Sequence, residues 1–317
     1  MIEFLLQLRW SGRFGNRMFQ YAYGATYAKV TGLEYWMPSE WEGTRLFKQQ
    51  PHRVVENDEI RLAFTSSDEG AAANDLRMQA VRKHYADAEL FDAELAEDPY
   101  RTAGHPMCHA NGCAYNPAIF PRVSKAHLKS LCEFSDEVTR LEAYRRFSDL
   151  QGLYDVAHLR RDDIANPEYN RTGIQGYSVI SKESYLRAFE KFGFSPESMQ
   201  WVSDDYTGKW HAGRGARHWG DWEYPIGSKY FPGLGFDWLT DFLKLYFART
   251  IFRANSSFSW WAAALSPTAK VFSPVIDKRH IYGVDGMDEI DVDFVEGNHP
   301  HWLYGGRYAK PQIVLGE

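Results

Sequence analysis

The sequence predicts an α/β protein built on largely parallel sheets. Three observations lead there. Short apolar runs alternate with helical segments between residues 153 and 273, the pattern of parallel strands joined by crossover helices. The chain opens with a strand, a glycine-punctuated loop and a helix, which is how a Rossmann-like domain begins. At 317 residues it is also long enough for two domains or one large one.

The elements follow in order. Ile2 to Leu8 is a short apolar run and reads as a buried strand. It leads into Arg9-Trp10-Ser11-Gly12-Arg13-Phe14-Gly15-Asn16, where two glycines allow a tight turn and a close approach of backbone to a ligand. Asn16 is placed to cap a helix that runs to Thr31 and stops at Gly32. Residues 38 to 120 carry the weakest patterning. Within them Leu76 to Leu95 reads as helix, and Ala103 to Pro121, rich in Gly, Pro and Asn, as loop. Val123 to Leu150 reads as one or two helices ending near Gln151-Gly152, the expected domain boundary.

A second α/β series then begins. Strands are expected over Leu153 to Leu159, Met199 to Ser203, Thr250 to Ala254 and Lys270 to Ser273, the last closed by Pro274. Helices are expected over Ser181 to Phe192, with a Ser cap and Gly193 behind it, over Asp237 to Arg249, and over Phe258 to Leu265. In the helix from Asp237, Trp238, Phe242, Leu245 and Tyr246 fall on one face. The predicted organisation is therefore 1–151, 152–275, and a tail 276–317, rich in Asp, Gly and His, that packs back on the body.

Composition narrows the function classes. A net charge of −6 gives no global basic field, which argues against nucleic acid and anionic membrane as partners. Three cysteines, Cys108, Cys113 and Cys132, form an odd and sparse set suited to a reducing compartment. The first residues are too acidic and too short for a signal peptide, and no run approaches membrane-spanning length, so the expected location is cytoplasmic. Aromatics reach 16%, with 11 Trp, enough to serve both cores and sugar-ring stacking.

Three segments carry chemistry. Ala157-His158-Leu159-Arg160-Arg161-Asp162-Asp163 brings paired arginines to the end of a strand, the edge where open α/β sheets bind ligands. Arginine grips phosphate through two parallel hydrogen bonds, although Asp162 or Asp163 could equally supply the counter-charge. Asn255-Ser256-Ser257-Phe258 joins a strand to a helix start, where backbone N–H groups attract anions; plain N-capping by Asn255 or Ser256 is the alternative. Gly12-Arg13-Phe14-Gly15-Asn16-Arg17 is the third; alone it is also what a tight strand–helix turn looks like. Asp204-Asp205 at a strand end can hold a divalent cation or simply cap a turn, and His105, Cys108, His109 and Cys113 match no familiar zinc spacing. No metal is expected to be required.

Taken in order, these segments resemble one known group. Gly12-Arg13-Phe14-Gly15-Asn16-Arg17-Met18-Phe19-Gln20-Tyr21-Ala22 resembles the GGLGNQMFQYA signature of α-1,2-fucosyltransferases. His158-Leu159-Arg160-Arg161-Asp162-Asp163 resembles the His-x-Arg-Arg-x-Asp motif shared by α-1,2-, α-1,6- and protein O-fucosyltransferases. Trp201-Val202-Ser203-Asp204-Asp205 resembles their FSDD strand, and Asn255-Ser256-Ser257-Phe258-Ser259-Trp260-Trp261-Ala262-Ala263 the NSSFSWWGA segment. The chain departs from the signature at Arg17, which replaces Gln, and at Asp162, where Gly is common.

The resemblance implies a GT-B-like fold, two Rossmann-like domains facing a cleft, with GDP-fucose on the C-terminal domain and a glycan acceptor as second substrate. It implies Arg160 on the β-phosphate, His158 at the nucleoside, and Asn255, Ser256, Ser257 and Phe258 along the diphosphate. It implies Asp241 as the reader of guanine, and Gly12, Phe14 and Gly15 as part of the donor site. Arg13 and Asn16 would face the reacting sugar. Glu168, ten residues after His158, matches the spacing of the catalytic Glu in the α-1,6 branch, with Asp163 as rival base. No cofactor is implied. A transferase using another GDP- or UDP-sugar, and a non-catalytic glycan- or nucleotide-binding protein, are the competing readings.

Overall fold

The computed structural model describes residues 4–7, 10, 13–31, 34–48, 53–55, 88–89, 107–108, 125–160, 179–203, 234–236, 238–275 and 291–297. The chain divides into two compact units between Asp136 and Glu137. Each is an α/β unit on its own sheet.

In the first unit, β1 (Phe4–Gln7) pairs in parallel with β2 (Glu34–Pro38), and β2 with β3 (Arg53–Val55). Two short strands, β4 (Ala88–Glu89) and β5 (Met107–Cys108), pair with Phe4–Leu5 and Leu6–Gln7. Between β1 and β2 runs α1 (Phe14–Thr31). Its buried residues Met18, Ala22 and Ala25 recur at helical spacing, as an amphipathic helix requires. Gly24 lets the helix lie close on β2, since a Cβ there would stand 2.5 Å from the Tyr35 ring. After β2 come α2 (Gly43–Leu46) and, much later, α3 (Lys125–Leu131). The latter is tied to α1 by a Tyr21 hydroxyl donating to Leu131 O (3.4 Å) and by a Thr26–His127 hydrogen bond (3.0 Å).

Two expectations change here. Asn16 does not cap α1. The helix starts two residues earlier, so Asn16 sits in its first turn with its N–H donating to Arg13 O (2.9 Å). Of the helix expected over Leu76 to Leu95, only Ala88 and Glu89 lie among the described residues, and these two form a strand, because pairing with β1 overrides local helical preference.

The second unit begins with α4 (Asp136–Thr139), at the division itself, and α5 (Glu142–Asp149). The segment just before Gln151, expected with the first domain, packs here. Tyr144 meets Phe247 edge-on at 5.1 Å, and Phe147 lies 6.2 Å from Tyr154. The core sheet has the order β10-β9-β8-β6-β7. It is formed by β6 (Asp155–Leu159), β7 (Gln200–Ser203), β8 (Thr250–Phe252), β9 (Lys270–Val275) and β10 (Asp293–Glu296). All pairings are parallel except β9 with β10. Pro274 lies within β9 rather than closing it, opposite Phe294 of this last strand, which comes from the tail.

Helix α6 (Lys182–Phe192) links β6 to β7 and is capped as expected: Ser181 Oγ accepts from Ser184 N, and Gly193 closes the helix at φ 77°. Its Tyr185 and Phe189 pack on the sheet face made by Ala157, Leu159, Trp201, Phe252 and Phe272. Successive strand residues face opposite sides, so Val156 and His158 face the other layer. There lie α7 (Leu239–Tyr246) and α8 (Ser257–Leu265). The single apolar face expected for α7 is too narrow a description, since every residue from Leu239 to Leu245 is buried.

Chain order and sheet order together locate a crevice. From β6 the chain moves to β7 on one side, then crosses to β8 on the other. At such a switch the connections leave in opposite directions and open a gap above the carboxyl ends of the two central strands. Those ends are Leu159-Arg160 and Phe252 to Ser256.

Candidate functional site

The structure brings the His158–Arg160 and Asn255–Phe258 segments together over this gap. Arg160 follows β6 directly, and its Nη1 donates to the backbone carbonyl of Asn255 at 2.9 Å. That bond uses one of five guanidinium donors and fixes the direction of the fork. Asn255 is buried, and its side-chain Nδ2 meets no acceptor among the described residues. A buried amide N–H without an acceptor is costly, which makes this position receptive to an oxygen-rich ligand.

Ser256 caps α8. Its backbone is extended (φ −150°, ψ 131°), and its Oγ accepts from Phe258 N at 3.2 Å. A hydroxyl that accepts still has its own proton to donate. Both readings of this loop, cap and anion site, thus describe the same geometry: the capped end presents the positive pole of a nine-residue helix at the gap. Ser257 opens that helix and is half-buried.

Phe258 is the packing centre. Its ring lies 5.8 Å from His158, 5.4 Å from Phe242 and 6.0 Å from Trp238. His158 is 3% exposed, and its carbonyl accepts from the Tyr185 hydroxyl at 2.7 Å. The strand end carrying Arg160 is therefore held on both faces of the sheet.

Asp241 is buried in α7, not a surface residue of an amphipathic helix. Three residues on, Lys244 is buried too, and its Nζ donates to Trp201 O at 3.4 Å. Burial pushes the Lys244 ammonium down to about 8, with the Asp241 charge pulling the other way and Arg146 adding to the fall. Lys244 escaped the sequence reading, although its i, i+3 relation to Asp241 was a usable signal.

Arg253 was also missed. It follows β8 one residue beyond the Ala157–Phe252 pair, which puts it on the His158 face of the sheet. It is fully buried, donates from Nε to Ser273 Oγ at 3.0 Å, and Ser273 in turn donates to Gly297 O. Burial holds its guanidinium well below the ordinary arginine range.

In the first unit, Arg13, Phe14, Gly15 and Asn16 form the turn at the start of α1. Asn16 N and Arg17 N both donate to Arg13 O, at 2.9 and 3.2 Å. Arg13 is exposed, Asn16 half-buried, and Phe14 buried against Trp41 at 5.9 Å. Gly12, Asp163 and Glu168 lie outside the described residues, as do Arg161, Asp162, Asp204 and Asp205. Among the described residues no three His, Cys, Asp or Glu side chains gather as a metal site would require. Nor is any described helix long and apolar enough to cross a membrane.

The connectivity defines the class: an α/β protein of two Rossmann-like units, the second with its residues converging at a switch point. No protein-family model matches the chain, and no curated protein matches it. Among solved structures it is similar to NodZ α-1,6-fucosyltransferase soaked with GDP-fucose, at 13% identity and a TM-score of 0.46, covering 93% of this chain and 99% of that one. It is also similar to POFUT1 in complex with GDP, at 13% identity and TM-score 0.42, over 86% of this chain and 97% of that one. A third is a mutant of Arabidopsis thaliana FUT1 in complex with GDP, at 10% identity and TM-score 0.41, over 86% and 70% of the two chains.

Proposed function

We propose that the chain is an inverting glycosyltransferase that moves L-fucose from GDP-β-L-fucose to a hydroxyl of a glycan acceptor, forming an α-1,2 linkage without a metal. The observation that supports it best is the Arg160–Asn255 hydrogen bond. Two segments 95 residues apart in sequence, each resembling a fucosyltransferase motif, meet over the carboxyl ends of β6 and β8.

The acceptor oxygen attacks C1 of fucose while the C1–O bond to the β-phosphate breaks and its electron pair leaves with GDP. Charge grows on the phosphate as that bond lengthens. Donors already aimed there, the Arg160 fork and the start of α8, stabilise the transition state more than the ground state. The acceptor proton passes to a carboxylate, Glu168 or Asp163. Asp241 reads the guanine edge, where a carboxylate suits adjacent N–H donors. His158 supports the nucleoside through the Phe258 packing, and Arg13 and Asn16 serve the reacting sugar.

The test is incubation with GDP-, UDP- and dTDP-sugars and a panel of glycans in the presence of a chelator, with products read by mass. The expected result is one deoxyhexose added to acceptor from GDP-fucose alone, with linkage analysis giving the 2-position. Transfer from a UDP-sugar, dependence on a divalent metal, or fucose released equally well without acceptor would each refute part of the reading.

A further inference from the structure

The loop after β2 carries Trp41 and Glu42 side by side, and both reach the start of α1. Trp41, 1% exposed, has the Trp10 ring at 5.0 Å, Tyr21 at 5.3 Å and Phe14 at 5.9 Å. Trp10 is fixed in turn by its Nε1 donating to Pro38 O at 3.1 Å. Glu42 Oε1 accepts from Arg17 Nη1 at 3.0 Å, and the same nitrogen reaches Glu40 O at 3.3 Å. Glu42 Oε2 is enclosed and meets no donor among the described residues, while Oε1 is held by Arg17.

An arginine in the first turn of a helix stands at the positive end of the dipole, an unfavourable place for a cation. A carboxylate 3.0 Å away reverses that, and with side-chain exposures of 25% and 17% the pair is shielded from full solvent screening. Arg17 also donates its backbone N–H to Arg13 O. Whatever holds the Arg17 side chain therefore holds the turn that presents Arg13 and Asn16.

We infer that Glu42 is a positioning residue: through Arg17 it sets the Arg13–Asn16 turn, with Trp41 clamping the same turn through Phe14. The inference rests on the transferase reading for its effect on turnover, but the clamp itself does not. Backbone placement errors of about 1 Å at such a turn cost up to about 10²-fold in rate, so a loosened clamp should cost roughly tenfold.

The variants are Glu42→Gln, Glu42→Ala and the charge-swapped Arg17→Glu/Glu42→Arg. The readouts are hydrogen exchange at the Asn16 and Arg17 amides, kcat and acceptor KM for fucosyl transfer, and GDP affinity by calorimetry. Glu42→Ala should speed exchange at both amides and lower kcat about tenfold, while GDP affinity stays within about twofold because the residues proposed to grip the diphosphate and the guanine, Arg160, Asp241 and Asn255 to Phe258, lie in the second unit and none of them touches Glu42. The swap should recover more than half of the kcat loss on a logarithmic scale. Unchanged exchange overturns the clamp. Faster exchange with wild-type kcat, or a swap that recovers nothing, overturns the positioning role. A wild-type protein that transfers no sugar overturns the transferase reading, and exchange alone then decides the clamp.

Discussion

Arg160→Lys separates a fork from a point charge at the centre of the proposed site. The native guanidinium reaches the Asn255 carbonyl at 2.9 Å with one N–H and, on the proposed reading, faces phosphate with others. Lysine has three donors on one atom and cannot span both partners with the same geometry. If the ammonium turns to phosphate, the Asn255 carbonyl loses a charged donor worth about 1.5–3 kcal/mol. If it stays on the carbonyl, the phosphate loses its fork. Removing a single donor from developing transition-state charge costs about 2.7–4 kcal/mol, or about 10²–10³ in kcat. The expected result is a fall of that size in kcat, a weakening of GDP binding by about tenfold (~1.4 kcal/mol), and a small shift in melting temperature of about 2–4 °C per kcal/mol lost. Steady-state kinetics, calorimetry with GDP and a melting curve on the same preparation measure all three. Near-wild-type turnover would refute the assignment. So would a large drop in stability with the kcat of the folded fraction intact, since that outcome makes Arg160 a tie between strands and nothing more.

Glu168→Gln should lower kcat by about 10²–10⁴ and remove the acidic limb of its pH profile; an unchanged kcat across pH takes Glu168 out of the mechanism. Lys244 predicts a pH effect on stability. Its folded value near 8 lies below the ordinary 10.5, so between these pH values the unfolded chain binds more protons. Stability therefore rises with pH in that window, by at most about 1.4 kcal/mol per unit. Burial raises Cys132, Tyr21 and Tyr154, which act in the opposite direction at alkaline pH. The informative quantity is accordingly the wild-type minus Lys244→Met difference in unfolding free energy from denaturant titrations; a difference flat from pH 7 to about 10 contradicts the burial argument. Gly24→Ala would push a methyl to 2.5 Å from the buried Tyr35 ring. It should destabilise by about 1–3 kcal/mol, and a loss below roughly 0.5 kcal/mol would contradict the close packing of α1 on β2.

What could be read from sequence was what is local. The Ser181 cap, the Gly193 stop and the strands ending at Leu159 and Ser203 follow from neighbouring residues, and the structure has them. Non-local pairing was not legible. Ala88–Glu89 forms a strand only because β1 lies beside it, and Asp293–Glu296 only because β9 does. Asn16 looked like a cap because its residue type favours caps, yet the turn closes on Arg13 and draws Asn16 inside the helix. At the candidate site, single motifs supplied His158, Arg160 and Asn255 to Phe258. They could not supply Arg253 or Glu42, whose meaning depends on burial and on partners far away in sequence. An arginine in an apolar run looks like a strand end facing water; only the assembled sheet shows it without exposure.

The assembled sheet also explains how a chain with a net charge of −6 can present a cationic site. On the proposed reading, nothing in the totals attracts a diphosphate, so the attraction would have to be built locally. The second unit gathers two sources of positive potential at one edge. Arg160 lies just beyond β6, and the α8 N-terminus follows β8. Both depend on one feature, the side-by-side placement of β6 and β8 that follows from the crossing of the chain after β7. At the opposite edge the same two strands are tied by Arg249, whose Nε and Nη2 donate to the two carboxylate oxygens of Asp155 at 3.0 and 2.5 Å. That pair ties the amino ends of the two strands, in the same register in which Arg160 reaches Asn255. Asp155→Asn keeps the size of the side chain but removes the charge, so it tests whether register far from the site matters to it. If the register argument holds, this variant lowers GDP affinity without touching any residue near the gap. If GDP affinity is unchanged while stability falls, the strand ends are held from their own side, by Phe258 and Tyr185, and the amino-edge ion pair contributes only to folding.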